Sequence, residues 1–515
     1  MGRRSLICSV VALALLTAGC NGGESEAERA AGRTLRVGIT APSSLDPAQA
    51  RSFEELLVAD QLFGTLTSFD PEEGAAVAGL AERWEMSDDQ RVWDFFLDTE
   101  ARFSDERPVT AGDVKWSLER VAKRGSGSAG SELLEMVSGY PAFGREGSVD
   151  QLAGLEAVAD DHLRISLDQP LSVLPIVLSS PILGVLGRVE GEPDLAAPIS
   201  SGPFELAERT GERVRLRPSG RDLELDGIEF RIYDDLGSAY QAFVDGELDW
   251  ARVPPERVED AAVRFGDEGF VPYAGELLFA FNLKNPKFSD SRVREALLRA
   301  IDRGALVRAV YGSTVDPLDS LTVPGVPGFQ KDACGSICVY DPARARALLK
   351  EARPNQPPLE VAIDFDEDPT QEAVARAIQS NLEGVGVKVQ LRSKPLGEYQ
   401  SFVLTGQQEI FRLGWIAAYP SADAFLFPLF TTESPSNLTG YSVPAVDAQL
   451  RDARAAGTVE RRLELYRAAE RAVLSSVPVI PIAQLKVHTV VSERVVGLET
   501  NVMGSFDATV VSIRS

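Results

Sequence analysis

Histidine is almost missing: His162 and His488 are the only two in 515 residues. Metalloenzymes that hold their ion on several imidazoles have little to work with, as do hydrolases that set a histidine beside a serine. Basic residues are outnumbered, with 52 Lys and Arg against 77 Asp and Glu, for a formal net charge of −25. A surface of that sign repels polyphosphate and argues against nucleic acid as a partner. Catalytic signatures are absent too. There is no G-x-S-x-G elbow, no G-x-x-x-x-G-K-[ST] phosphate loop, no H-E-x-x-H and no paired C-x-x-C. Gly125-Ser-Gly-Ser-Ala-Gly130 satisfies G-x-G-x-x-G, but it follows a helical pattern over 114–123 rather than a strand, so it reads as a polar loop. The many acids leave a carboxylate pair for acid–base chemistry open, yet nothing singles out two of them. What is present is an ordinary globular balance, 44% hydrophobic and 25% charged, in a chain long enough for several domains.

Cysteine is scarce as well, and its four positions differ in meaning. The chain opens MGRRSLICSVVALALLTAGC. Arg3 and Arg4, an apolar run over 6–16 and small residues before Cys20 read as a secretory signal over 1–19, too short for a spanning helix of about 20 apolar residues. Leu16-Thr17-Ala18-Gly19-Cys20 resembles a bacterial lipobox, which predicts a lipid on Cys20; the alternative is an ordinary cleavage site that happens to precede a cysteine. Residues 20–34 are small, polar and Gly-containing and read as a flexible tether. Cys8 is discarded with the signal. Cys334 and Cys338 remain, and export permits a disulfide between them. The alternatives are a redox pair or a two-thiol metal site, and zinc would lack its other ligands.

The rest alternates between strand-like and helix-like stretches. Strand patterns fall at 35–40, 92–97, 163–167, 228–233, 359–365, 387–392 and 410–415. Helix starts are clear at Thr110-Ala-Gly-Asp113, at Asp290 and at Asp341-Pro342. Glu295 and Arg299 form an i,i+4 pair. The stretch 359–392 reads as strand, helix over about 370–382, Gly384/Gly386 stop and strand, hence a βαβ unit with local parallel sheet. No internal repeat is visible, and the chain reads as α/β with more than one lobe.

From Leu80 the sequence runs LAERWEMSDDQRVWDFFLDTEARFSDERPVTAGDVKWSLERV. This stretch resembles the signature region of the family 5 extracytoplasmic solute-binding proteins, the oligopeptide, dipeptide and nickel binders of ABC importers. Further landmarks follow in the family's order: Ser44-Leu45-Asp46-Pro47, Ser201-Gly202-Pro203-Phe204, FNLKNPKFSDSRVREALLRAIDR over 281–303, Gly414-Trp415, Tyr419-Pro420, Gly440-Tyr441-Ser442 and Val479-Ile480-Pro481. The resemblance implies a two-lobed α/β fold of the type II periplasmic-binding kind. Lobe one would span 35–265 with an extra subdomain near 70–195, lobe two 270–470, and 471–515 would return to lobe one. It implies a monomeric, non-enzymatic lipoprotein without a cofactor. Such a protein closes around a small solute between its lobes and delivers it to membrane permease subunits.

In the peptide binders of that family, an Asp before the Tyr of the substrate strand holds the ligand's free amine, in the pattern Gly-Trp-x-Ala-Asp-Tyr. Here the pattern is Gly414-Trp415-Ile416-Ala417-Ala418-Tyr419, so the acid is replaced by Ala418. A buried ammonium needs a paired charge. The ligand is therefore expected to be N-blocked, non-peptidic or anchored by another acid, with Asp423 as one candidate; a peptide held by the strand with Asp423 as its charge stays open. Other candidate contacts are Trp415 as a flat apolar surface, Gly414 and Ile416 as backbone partners, and Ser43 and Ser44 in the first loop after a strand. Phe281, Asn282, Tyr140 and Tyr419 complete the set, with Asn282 also readable as a structural hydrogen bonder. A nickel ligand is disfavoured, because neither histidine lies near the substrate strand. A degenerate member acting as a sensor or surface protein, and a lipid-anchored hydrolase, are the competing functions.

Overall fold

The computed structural model describes residues 32–189, 191 and 193–514. Cys8, Cys20 and nearly all of the tether lie outside this range. The frame is one mixed sheet reaching from lobe to lobe. Its lobe-one part is built on Thr34–Thr40, which pairs in parallel with Gly227–Tyr233 and Trp250–Arg252. Arg213–Pro218 and Phe204–Arg209 extend that side in antiparallel fashion. The lobe-two part is Lys388–Lys394, Glu360–Asp366 and Ile410–Ile416, all mutually parallel where they pair. The helix Pro369–Glu383 connects the first two of these in sequence, capped by Asp368 with Pro369 in its first turn, which completes the expected βαβ unit.

Two long strands cross between the lobes. Phe270–Phe281 and Val479–Val491 run antiparallel to each other, with Phe270 opposite His488 and Ala280 opposite Val479. Their register shifts between Pro272 and Glu276. At one end Trp250–Arg252 pairs with Val491 through Thr489, and at the other Ile410–Ile416 pairs with Phe281 through Gly275. Both lobes thus hang on one continuous hydrogen-bonded ribbon.

A separate four-stranded antiparallel sheet, in the order Ala81–Met86, Val92–Leu97, His162–Ser166, Leu155–Ala159, lies within the subdomain. It packs on the helix Ala111–Ala122, where Thr110 and Asp113 make the expected capping box and Val114, Leu118 and Val121 are buried. Arg120 ties this helix to lobe one through a bidentate pair with Asp46, at 2.6 and 3.2 Å. Ser172 ties the subdomain to lobe two, its N–H donating to the Arg454 carbonyl at 2.7 Å. His162 is held inside the sheet by Asp94 at 2.6 Å and stacks on Phe96. Cys334 and Cys338 are joined as a disulfide with Cα atoms 5.6 Å apart.

Candidate ligand-binding cleft

The cleft is assembled from every part of the molecule. The helix Phe53–Leu62 begins at Ser52, whose side chain accepts from the Glu55 N–H while Glu55 caps back, closing a capping box. Glu55 also accepts from the Ser43 N–H at 2.9 Å and from the Arg51 N–H at 2.8 Å. This pins the first loop to the helix start. Phe53, Leu56 and Leu57 then face a cavity of about 190 Å³. The subdomain closes it with Gly130, Leu133 and Ile182, lobe two with Ile416 and Ala418, the first crossing strand with Tyr273, and the segment 503–505 with Met503 and Ser505. Gly504 is in the left-handed region, and a side chain there would run into the Phe53 ring, so only glycine lets this segment lie on the helix. The lining is overwhelmingly apolar, Arg51 is its one charged residue, and no carboxylate borders it. Arg51 donates to the Gly127 carbonyl at 2.6 Å and Gln49 to the Ser126 carbonyl at 2.9 Å. The glycine-rich stretch 125–130 is therefore clamped against the cleft rather than a free polar loop, and its end forms part of the wall.

Of the residues anticipated from the sequence, Ile416 and Ala418 border this cavity, and Ile416 is 56% exposed. Gly414 pairs with Leu277 within the sheet, where the strand's register with Glu360–Asp366 ends at Phe411 while that with the crossing strand runs on to Ile416. Trp415 is turned to structural use: its indole N–H donates to the Ala424 carbonyl at 2.7 Å and its ring packs on the core. Phe281 is buried against Phe288. Asn282 donates to the carbonyls of Gly406 and Gln408, both at 2.9 Å, the structural alternative for that residue. Tyr140 is buried in the subdomain with its hydroxyl on Ser131. Ser43 is spent on Glu55, and Ser44 accepts from the Asp46 N–H.

Asp423 requires a correction. It is fully buried, and both of its oxygens are taken. Arg454 donates to them at 2.8 and 2.7 Å, and the hydroxyls of Tyr419 and Tyr466 donate at 2.7 Å each. The Phe427 ring covers the guanidinium. Burial alone would push the Asp423 carboxyl up, but the Arg454 charge and these hydrogen bonds hold it below the ordinary range. Asp423 and Tyr419 form an internal ion-pair nest, with no acceptor left for a ligand amine.

The chain matches the bacterial extracellular solute-binding proteins, family 5 middle region, over residues 75–437. The chain belongs to that family. It is a binding protein rather than an enzyme. The periplasmic murein peptide-binding protein MppA of Escherichia coli (strain K12) is 28% identical over 464 residues, covering 86% of each chain. The probable deoxycholate-binding periplasmic protein YgiS of the same organism is 27% identical, with 86% of each chain covered. The dipeptide-binding protein DppE of Bacillus subtilis (strain 168) is 24% identical over 95% of this chain and 94% of that one. In structure, the unliganded open form of MppA superposes with a TM-score of 0.82 at 25% identity, over 93% of this family member and 97% of MppA.

Two residues near the cleft carried no signal in the sequence. Ser505 borders the cavity, and its hydroxyl is hydrogen-bonded to Asp60, one turn beyond Leu56 and Leu57 on the cleft helix. The capping box Ser52-x-x-Glu55 announces that helix; nothing in the sequence announces which of its faces is covered.

Proposed function

We propose that this protein is the capture component of an ABC importer, a monomeric lipoprotein held through Cys20 to the outer side of the cell membrane. It takes a peptide or peptide-like solute with a blocked or absent N-terminal amine into the interlobe cleft and passes it to membrane permease subunits. In this reading 35–265 with the subdomain near 70–195 forms lobe one, 270–470 forms lobe two, and 471–515 returns to the first. The supporting observation is Ala418 at the wall of a cavity without a bordering carboxylate, at the position where the family's peptide binders carry the amine-holding acid. An ammonium brought there would lose its hydration with no counter-charge in return, a cost of several kcal/mol. Relatives named for peptides favour a peptide-like ligand, and the one named for deoxycholate favours an amphipathic non-peptide as the second reading.

The test is calorimetric titration with Phe-Leu, N-acetyl-Phe-Leu and deoxycholate, on the natural protein and on Ala418→Asp. The natural protein is expected to bind the acetylated dipeptide at least about tenfold tighter than the free one, a difference of about 1.4 kcal/mol. Ala418→Asp is expected to reverse that order. Micromolar binding of the free dipeptide, abolished by acetylation, would falsify the reading. Binding of deoxycholate alone would select the second one.

A further inference from the structure

Beside the cleft lies a second cavity of about 300 Å³, larger than the first. It begins where the apolar lining stops. Phe53, Leu56 and Leu57 face the cleft, and Asp60 continues the same stripe of the helix at the next i+3/i+4 position, where it borders the second space. The partition is thin: Ser505 borders the cleft, Asp60 borders the chamber, and their side chains are hydrogen-bonded to each other. The chamber is more polar than the cleft, with Asp60, Thr65, Ser68, Arg221, Asn501 and Asp507 set beside Phe63, Phe69, Leu80 and Phe506.

Asp60 is the unusual member. It lies deep in lobe one, keeps part of its surface open to the chamber, and is hydrogen-bonded to Ser505, with no ion pair among the described residues. Burial pushes its carboxyl up to about 6 against the pull of the Ser505 hydrogen bond, and the Asp507 charge adds to the rise. The charged groups facing it are Asp507 on the C-terminal segment and Arg221 in the loop after Arg213–Pro218, both exposed. The cleft helix, the hairpin Thr67–Asp70/Ala75–Ala78 and the turn at 201–203 add only uncharged side chains there. Arg221 shares the chamber but makes no ion pair with Asp60, so this carboxylate, with room beside it, is a half-built ion pair.

We infer that this chamber receives the cationic end of the ligand, an ammonium or guanidinium, with Asp60 as its counter-charge, while the ligand's apolar body stays in the cleft and the Ser505–Asp60 partition parts to admit it. This rests on the cleft reading above and narrows it: the solute is N-blocked and carries a basic side chain. Occupation of the chamber requires the ionised carboxylate, so affinity for a cation falls by about tenfold for each pH unit below the Asp60 value.

The experiment titrates the full mature chain with N-acetyl-Phe-Lys-amide and N-acetyl-Phe-Leu-amide at about pH 7.5 and about pH 5. The expected result is a preference of roughly tenfold or more for the lysine probe at the higher pH, largely lost at the lower. Asp60→Asn, its folding checked by a thermal melt, is expected to erase the preference at both. A preference that survives in Asp60→Asn, or that does not change with pH in the natural protein, overturns the inference. Equal binding of both probes by the natural protein also overturns it and leaves the cleft reading standing; binding of neither removes both.

Discussion

Asp423 in lobe two and Asp60 in lobe one are both carboxylates withdrawn from bulk water, and their surroundings treat them in opposite ways. Asp423 meets a guanidinium, two phenolic hydroxyls and an aromatic ring over its partner, and its carboxyl stays below the usual range. Asp60 meets one serine hydroxyl and a second acid nearby, and its carboxyl rises to about 6. A buried charge whose hydrogen-bonding capacity is filled belongs to the scaffold; one left half-satisfied beside a cavity has capacity to offer a ligand. Closeness to the strand Ile410–Ile416 is thus a poor guide to whether an acid has capacity left. The acid near that strand is structural, and the acid with open valence sits on a helix of the other lobe.

The contrast can be broken from either side. The largest effect is expected at Arg454. Arg454→Met strands the Asp423 charge and should cost about 3–5 kcal/mol in urea unfolding; a loss below about 1 kcal/mol would mean that the nest does not hold its charge as described. Next comes the pH dependence of stability. The folded Asp60 carboxyl is raised above its unfolded value, so the unfolded state gives up its proton first. Stability therefore falls as pH rises from about 4 to about 6, and the full penalty applies above that window. Asp423 behaves conversely, its contribution complete above the unfolded value and lost only as pH drops through its depressed folded one. Asp60→Asn should then be more stable than the natural protein near pH 7.5, by on the order of 2 kcal/mol, with the gain vanishing near pH 3.5. Thermal melts across that range decide it, and a gain independent of pH would assign the effect to something other than the charge. The smallest effect is expected from Ser505→Ala. It removes the bond that holds the Asp60 carboxyl down, costs about 1 kcal/mol, and moves the acid-side window to higher pH.

Much of the fold was legible. Each of the seven strand patterns overlaps an observed strand, with 163–167, 359–365 and 387–392 each running one residue past its strand, and the caps at Thr110, Asp290 and Asp341 hold their helices. The crossing strands were not legible. FVPYAGELLFAF and VIPIAQLKVHTVV lack clean alternation because most of their residues are buried whichever face they take, and Pro272 and Gly275 interrupt the first with turn-like chemistry. In the cleft, Ala418 was legible as a departure from a motif. The commitment of Asp423 was not, because its partner lies 31 residues away on another helix. Asp60 was hidden more thoroughly. An acid in FEELLVADQL reads as part of a solvent-facing stripe, and what covers it arrives from Ser505, 445 residues later.

That separation has a consequence in time. Residues 501–509 wall both cavities, so neither exists until this stretch has been made and folded back across lobe one. At typical synthesis rates of about 5–20 residues per second, the cleft helix waits roughly 20–90 seconds for its cover. Throughout that interval Phe53, Leu56 and Leu57 are a greasy stripe without a lid, open to whatever chaperone or protease meets the growing chain. On the function proposed above, the part of the molecule that receives the solute is thus the last to become complete, and an unfinished copy has no formed pocket with which to compete for it.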